Sequence, residues 1–375
     1  MTQPTAPFRA DHVGSLLRPA ELRAARELAI LGQRSYESLR ALEDTSIRAA
    51  VKLQEDAGLS SITDGEFRRT SFHFDFLGKL AGVEAKLADR AQGADSPKVF
   101  RPPQLAITGK VAHVKPIELD GFNFLKSVTK RTPKITMPSP TMCLRGGRAA
   151  ISQEAYPDLE VYYEDVAKAY GAEIRALAEA GCTYIQFDDT NFAYLCDESM
   201  RADMKARGDE PADVLARYIK LFNMVLAQKP KGMTFCTHIC RGNFQSAWAA
   251  QGGYEPIAEK LFGELNVDGY FLEYDSERAG GFEPLRFVPK NSGKNGSKRV
   301  VLGLISSKVP EMEDADVIRR RIDEAAKFVP MDQLCLSPQC GFASSFRGNQ
   351  LGEDVERRKL EQVVAIATKA WGSAA

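Results

Sequence analysis

The chain has 375 residues, of which 44% are hydrophobic, and its 50 Lys and Arg residues balance its 50 Asp and Glu residues. That length suits one decorated barrel as well as two domains, and the balanced charge argues against a nucleic-acid or anionic-membrane partner. No apolar run approaches the ~20 residues of a membrane span, and the first residues, MTQPTAPFRADHVGS, lack a secretory apolar stretch. The seven cysteines (143, 182, 196, 236, 240, 335 and 340) are an odd number, which favours reduced thiols over a disulfide framework. A cytoplasmic globular protein is expected.

Apolar, β-branched segments alternate with amphipathic ones. Strands are predicted to end near His12-Val13-Gly14-Ser15, in GLSSITDGE (58–66), in KITMPSP (134–140) and in CTYIQFDD (182–189). Four more fall in MTFCTHIC (233–240), DGYFLEYD (268–275), RVVLGLISSK (299–308) and LCLSPQC (334–340). Helical patterns span 19–33, 36–57, 155–180, 208–228, 254–265, 313–328 and 351–370. The helix over 159–180 runs up to Gly181, a suitable C-terminal cap. Strand–helix alternation implies a parallel sheet, and eight repeats imply an α/β fold closed into a single (β/α)8 TIM barrel. Residues 79–133 break the pattern and read as an inserted hairpin region between strands two and three, with QLAITGKVAHV as one arm. GKNGSK at 293–298 reads as a polar surface turn. No linker divides the chain, so residues 1–375 are expected to form one catalytic domain.

Active sites of such barrels lie at the C-terminal ends of the strands. Those ends supply Gly14 and Ser15, Asp64 and Glu66, Ser139 and Thr141, and Asp188 and Asp189. They continue with His238 and Cys240, Glu273 and Asp275, Ser306 and Ser307, and Cys340. His238 and Cys240, at i and i+2 on a strand, face the same side, and Zn2+ accepts imidazole, thiolate and carboxylate together. Taken alone, His-x-Cys also describes a buried cysteine beside a hydrogen-bonded histidine. Cys340 alone reads as a buried thiol, and Glu273 could be neutralised by Arg278 as well as by a metal. Together, His238, Cys240, Glu273 and Cys340 point to Zn2+. A site with two thiolates suits a sulfur substrate, which loses its proton on coordination. Glu66, Asp188 and Asp189 could hold an amino group, or end in salt bridges or solvent. Arg18, Arg68, Arg69, Arg145, Arg148 and Arg241 cluster at the same rim. Arg145-Gly146-Gly147-Arg148 reads either as an anion nest or as a solvated charged edge.

These residues resemble the catalytic C-terminal barrel of cobalamin-independent methionine synthases. The resemblance covers nearly the whole chain. It rests on HVGSLLRP (12–19), TDGEFRR (63–69), IQFDD (185–189), THIC (237–240), LEYDS (272–276), GLISSKVPEME (303–313) and LSPQCGF (336–342). It implies a zinc-dependent methyltransferase that moves a methyl group from a 5-methyltetrahydrofolate-type donor to the thiol of homocysteine, forming methionine. It implies His238, Cys240, Glu273 and Cys340 as zinc ligands, and Gly14 and Ser15 as contacts to the amino-acid carboxylate. Glu66 and Asp188 become the partners of the amino group, with Arg18, Arg68, Arg145 and Arg148 as further substrate-binding candidates. The length resembles the stand-alone version that lacks the family's N-terminal barrel. Two features depart from the pattern. The strand-seven loop, ISSKVP, has no histidine, and PSPTMCLRGGR after strand three has no tryptophan. The other readings are zinc-dependent alkyl transfer to another thiol, as in epoxyalkane:coenzyme M transferase, and a non-catalytic zinc-binding protein.

Overall fold

The computed structural model describes residues 5–86, 104–290 and 298–375. Among them the strands are β1 (Ser61–Ile62), β2 (Ala81–Lys86), β3 (Gln104–Ala112), β4 (Thr132–Pro138), β5 (Tyr184–Asp189), β6 (Thr234–Ile239), β7 (Gly269–Glu273), β8 (Arg299–Ile305) and β9 (Leu334–Pro338). The helices are α1 (Ala20–Ile30), α2 (Arg40–Asp56), α3 (Phe74–Leu77), α4 (Leu119–Val128), α5 (Leu159–Glu179), α6 (Asn191–Tyr194), α7 (Glu198–Ala206), α8 (Pro211–Leu226), α9 (Glu255–Glu264), α10 (Ala315–Ala325) and α11 (Glu353–Trp371). All seven helices expected from periodicity are present. The expected insertion holds the antiparallel β2–β3 hairpin, and also α4, which the mixed composition of that stretch conceals. The expected polar turn at 293–298 lies, but for Lys298, outside the described residues.

Seven strands form one parallel sheet in the order β1-β4-β5-β6-β7-β8-β9. The expected first strand is a correction. Residues 9–15 occupy the eighth position but make only one bridge, between Ala10 and Leu336. The physical reason is Asp11, whose carboxylate accepts the backbone N–H groups of Phe8 (3.2 Å) and His12 (2.8 Å). Such side-chain bonds compete with a strand ladder. The segment still spans the gap. Asp11 N donates to Leu336 O at 3.0 Å, and Leu16 N donates to Gly65 O at 3.1 Å on the β1 side.

Alternation along the strands builds the interior. Val13, Tyr184, Cys236, Phe271, Val301 and Cys335 pack together as one buried layer. Two residues further along β5, β6 and β7, the same faces carry Gln186, His238 and Glu273. The inward row thus changes from apolar to chemical toward the C-terminal ends. α5 is capped by Asp158, which accepts Glu160 N–H at 2.9 Å. It ends at Gly181, where φ is 93° and the N–H groups of Gly181 and Cys182 close back on Ala178 and Leu177. Among the described residues no helix is long and apolar enough to cross a membrane.

Candidate metal centre and adjoining cavities

β6 delivers His238, and Cys240 follows at its end. β7 ends on Glu273, and Cys340 lies two residues past β9. All four side chains are buried, and their ligand atoms lie within 4.8 Å of one another. Cys240 Sγ and Cys340 Sγ are 3.4 Å apart. His238 Nδ1 lies 3.3 Å from Phe271 O, while His238 Nε2 is buried with no hydrogen-bond partner. A carbonyl behind one ring nitrogen and an open second nitrogen is the arrangement of a metal-ligating histidine. The donor set of one imidazole, two thiols and one carboxylate therefore fits zinc. The hydrogen bond from Cys240, and then His238, hold the Cys340 thiol well below the ordinary thiol range.

The Glu273 carboxylate is fixed from two sides. Oε1 accepts Arg241 N–H at 2.7 Å, and Oε2 meets Arg278 Nη2 at 3.0 Å. Arg241, fully buried, also donates to Tyr254 Oη at 2.8 Å and to Gly252 O at 2.7 Å. Tyr254 Oη in turn accepts Glu273 N–H at 3.0 Å. Gly242 N–H donates to Cys240 Sγ at 3.3 Å.

A small cavity opens at the quartet. Its lining includes Ser15, Glu66, Asp188, His238, Cys240 and Cys340. Glu66 sits at φ 61°, an uncommon conformation for a non-glycine residue. Its Oε1 accepts Thr136 Oγ1 at 2.7 Å, and its Oε2 is buried without a partner. Burial, and then the neighbouring Glu66 carboxylate, push Asp188 up to about 7. Gln186 Nε2 donates to Asp188 Oδ1 at 2.7 Å and orients it. Gly14 has φ 130°, and a Cβ there would lie 2.6 Å from Thr136 Cγ2. A Cβ on Gly341 would lie 1.9 Å from Ser15 Oγ. The absence of a Cβ lets Thr136 pack against Gly14 and Ser15 pack against the Gly341 backbone.

A second cavity of about 380 Å³ shares Cys240, Phe72 and Ser344 with the first. Phe74, Tyr194, Phe244 and Phe346 add aromatic walls, and Arg145 and His73 also line it. His73 is buried between the rings of Phe72 and Phe74, at centroid distances of 4.4 and 4.0 Å. Its Nδ1 lies 3.2 Å from Ser71 Oγ, and its Nε2 is buried with no partner. Burial, and then the charge of Arg145, hold the imidazole well below its ordinary value and therefore neutral.

The structure separates the other candidates. Arg18 is buried and donates to the carbonyls of Ala343 (2.8 Å) and Glu66 (2.6 Å). Arg68 pairs with Glu43 and Asp44 of α2. Arg148 donates to Ile151 O and Tyr156 O beside a different cavity. Asp189 accepts from Ser139 and Thr141, and from Phe192 N–H at 2.8 Å. Arg69 bridges Glu66, at 3.5 Å, and Glu118, at 3.1 Å. Of the four arginines expected at substrate, only Arg145 lines a cavity shared with the quartet. His73 was not legible as a site residue. The only sequence signal was a histidine enclosed by phenylalanines in SFHFDF. The aromatic wall comes from residues after β1, β5, β6 and β9, and not from a tryptophan after β4. Trp248 is instead half-exposed, with Arg278 4.9 Å over its ring, and Trp371 bonds to Met331 O at 3.0 Å.

Residues 8–369 match the family described as cobalamin-independent synthase, catalytic domain. The uncharacterized protein YxjH of Bacillus subtilis is 44% identical over 371 residues, covering 98% of this chain and 96% of that protein. A methionine synthase of Pyrococcus abyssi is 24% identical over 331 residues, covering 88% of this chain and 84% of its own. The crystal structure of a Listeria monocytogenes protein, provisionally described as a vitamin-B12-independent methionine synthase, superposes with a TM-score of 0.78. It is 39% identical and covers 99% of this chain and all of its own. The curled parallel sheet, the buried quartet at its C-terminal rim and these matches agree: the chain belongs to the cobalamin-independent methionine synthase family, by its catalytic domain.

Proposed function

We propose that this chain is a zinc-dependent methyltransferase that transfers a methyl group from a 5-methyltetrahydrofolate-type donor to the thiol of homocysteine, forming methionine. The observation that carries this reading is the shared position of Cys240. It borders both the small cavity lined by Ser15, Glu66 and Asp188, groups that suit the ends of an amino acid, and the aromatic cavity, whose walls suit a flat donor. His238, Cys240, Glu273 and Cys340 would hold the zinc, which when bound keeps a substrate thiol in its thiolate form at neutral pH. Its reducing surroundings are supported by seven free cysteines.

The chain's own residues do the rest. Glu66 offers its unpartnered Oε2 to the substrate ammonium group, and that cation favours the ionised form of the neighbouring Asp188. Ser15 and the backbone at Gly14 and Gly341 receive the carboxylate. The thiol is thereby aimed toward the Phe72 and Cys240 wall. The S–CH3 bond forms as the donor's N–CH3 bond breaks, and the nitrogen keeps the electron pair. In the tautomer in which Ser71 Oγ donates to Nδ1, the neutral His73 directs its Nε2–H at this pair as a hydrogen-bond donor, and the proton that completes the leaving amine comes from solvent. The aromatic walls exclude water and stack on a flat ring. The paired carboxylates disfavour coenzyme M as the thiol, because it carries a sulfonate and no amino group.

The test is methyl transfer to homocysteine, with methionine measured, against a donor panel that includes 5-methyltetrahydrofolate. Methionine formed only with zinc-loaded protein supports the reading. Turnover of coenzyme M but not homocysteine would replace it.

A further inference from the structure

The loop after β8, Ser306-Ser307-Lys308, supplies none of the four metal-binding side chains, yet it ties together the two loops that carry the thiols. Ser307 N–H donates to Gln339 Oε1 at 2.7 Å, and Ser307 Oγ lies 3.0 Å from Gly341 O. Gln339 and Gly341 flank Cys340. On the other side, Lys308 Nζ donates to Gly242 O at 3.2 Å. The N–H of that same Gly242 donates to Cys240 Sγ at 3.3 Å. Gly242 has φ 87°, and a Cβ there would lie 2.9 Å from Ala249 N. A side chain is thus excluded, and the Lys308 ammonium grips a residue whose own N–H faces the thiol. Asn243 Nδ2 closes the ring by donating to Gly341 O at 2.8 Å.

Lys308 is also an unbalanced charge. It is only 7% exposed. Among the described residues it makes no ion pair within 4.0 Å, whereas Glu273 is already paired with Arg278. A buried ammonium is costly without a counter-charge. Two thiolates and a carboxylate exceed the charge of one divalent ion, and a substrate thiolate deepens the excess. The Asp275 carboxylate, on which the Lys308 charge also acts, is already paired with Arg278 at 3.2 Å, so the demand for a cation left without one is the thiol pair, which the Gly242 peptide links to Lys308.

We propose that Lys308 is a positioning residue and the counter-charge of the thiolate pair: it holds the Gly242 peptide against Cys240 and stabilises the added negative charge when a substrate thiolate joins the metal. This inference rests on the zinc and thiol reading above. It concerns a residue for which that reading needs no role.

The test uses full-length protein loaded with Co2+, whose sulfur-to-metal charge-transfer band reports on the thiolates. Lys308→Met removes the charge and the bond to Gly242, Lys308→Gln keeps a donor without the charge, and Lys308→Arg keeps the charge. A cation near sulfur raises the energy of this band. The band is expected to move to lower energy in the Met and Gln variants and to stay in place in the Arg variant. Calorimetric titration of zinc-loaded protein with homocysteine is expected to show binding weakened on the order of tenfold in both neutral variants, as one nearby charge in a partly buried site would produce. It is expected to be restored in Lys308→Arg. An unmoved band and unchanged affinity in metal-loaded Lys308→Gln overturn the proposal. If the unaltered protein takes up Co2+ but not homocysteine, the thiol reading fails while the band still decides the role of Lys308. If it takes up no metal, both fail.

Discussion

Cys240 Sγ and Cys340 Sγ lie 3.4 Å apart across 100 residues of chain. That is too long for a disulfide, whose sulfurs sit near 2.05 Å. It is a suitable spacing for two ligands that turn toward one ion, with His238 Nε2 open beside them. Purified protein is expected to hold about one zinc per chain, measured by elemental analysis. Cys240→Ser and Cys340→Ser should each lower that occupancy. Full retention in both would remove the ligand assignment.

Glu273 depends on Arg241 and Tyr254 for its orientation. Tyr254→Phe leaves the ring in place but removes the hydroxyl that links Arg241 to the Glu273 backbone. Zinc affinity, measured by competition with a chelating dye, should fall about 10- to 100-fold, the scale of lost outer contacts to a metal ligand. An unchanged affinity would mean that Arg241 N–H and Arg278 hold the carboxylate without help from the Tyr254 hydroxyl.

Glu66 is predicted to read the amino group of the thiol substrate. Glu66→Gln should weaken homocysteine binding by about 1.5–3 kcal/mol, the worth of a hydrogen bond to a charged group. It should leave 4-mercaptobutyrate, which lacks the amino group, nearly unaffected. Equal losses for both thiols in calorimetry would show that Glu66 supports the fold and not the recognition.

His73 is predicted to act on the donor side only. His73→Ala should slow methyl transfer to homocysteine about 100-fold or more, as loss of a hydrogen-bond donor aimed at developing charge does. Homocysteine affinity and zinc content should stay near those of the unaltered protein. A parallel fall in zinc content would point to collapse of the shared wall at Phe72.

Glu356 of α11 accepts Leu17 N–H at 2.7 Å and so anchors the segment that follows Ser15. Burial pushes its carboxyl up to about 8 from an ordinary 4.5. A folded value above the unfolded one means that the native state holds the proton more tightly. The associated stability is complete below about pH 4.5 and is lost as pH rises through about 8, by a few kcal/mol. Thermal unfolding midpoints should fall over that window. Glu356→Gln, which can still accept from Leu17, should flatten the decline.

Much of this was legible in the chain itself. β4 to β9 announce themselves as apolar runs that end in polar groups, and α5 and α8 through three-and-four spacing. The quartet followed, because a strand's two-residue repeat puts His238 and Cys240 on one face. Other features depend on partners far along the chain. Arg18 looks like a rim cation until Ala343 O and Glu66 O take its guanidinium. The segment at His12 reads as a strand until the Asp11 carboxylate takes its neighbours' N–H groups. His73 and Lys308 carry no periodic signal. Each gains meaning only when the fold brings it to Cys240 or to Gly242.

The most direct test of the central claim is zinc K-edge X-ray absorption of the zinc-loaded protein with and without L-homocysteine. Without it, the edge should report two sulfur neighbours, from Cys240 and Cys340, with nitrogen and oxygen completing the shell. With it, one further sulfur neighbour should appear. A spectrum that does not change on saturation with homocysteine would contradict the account.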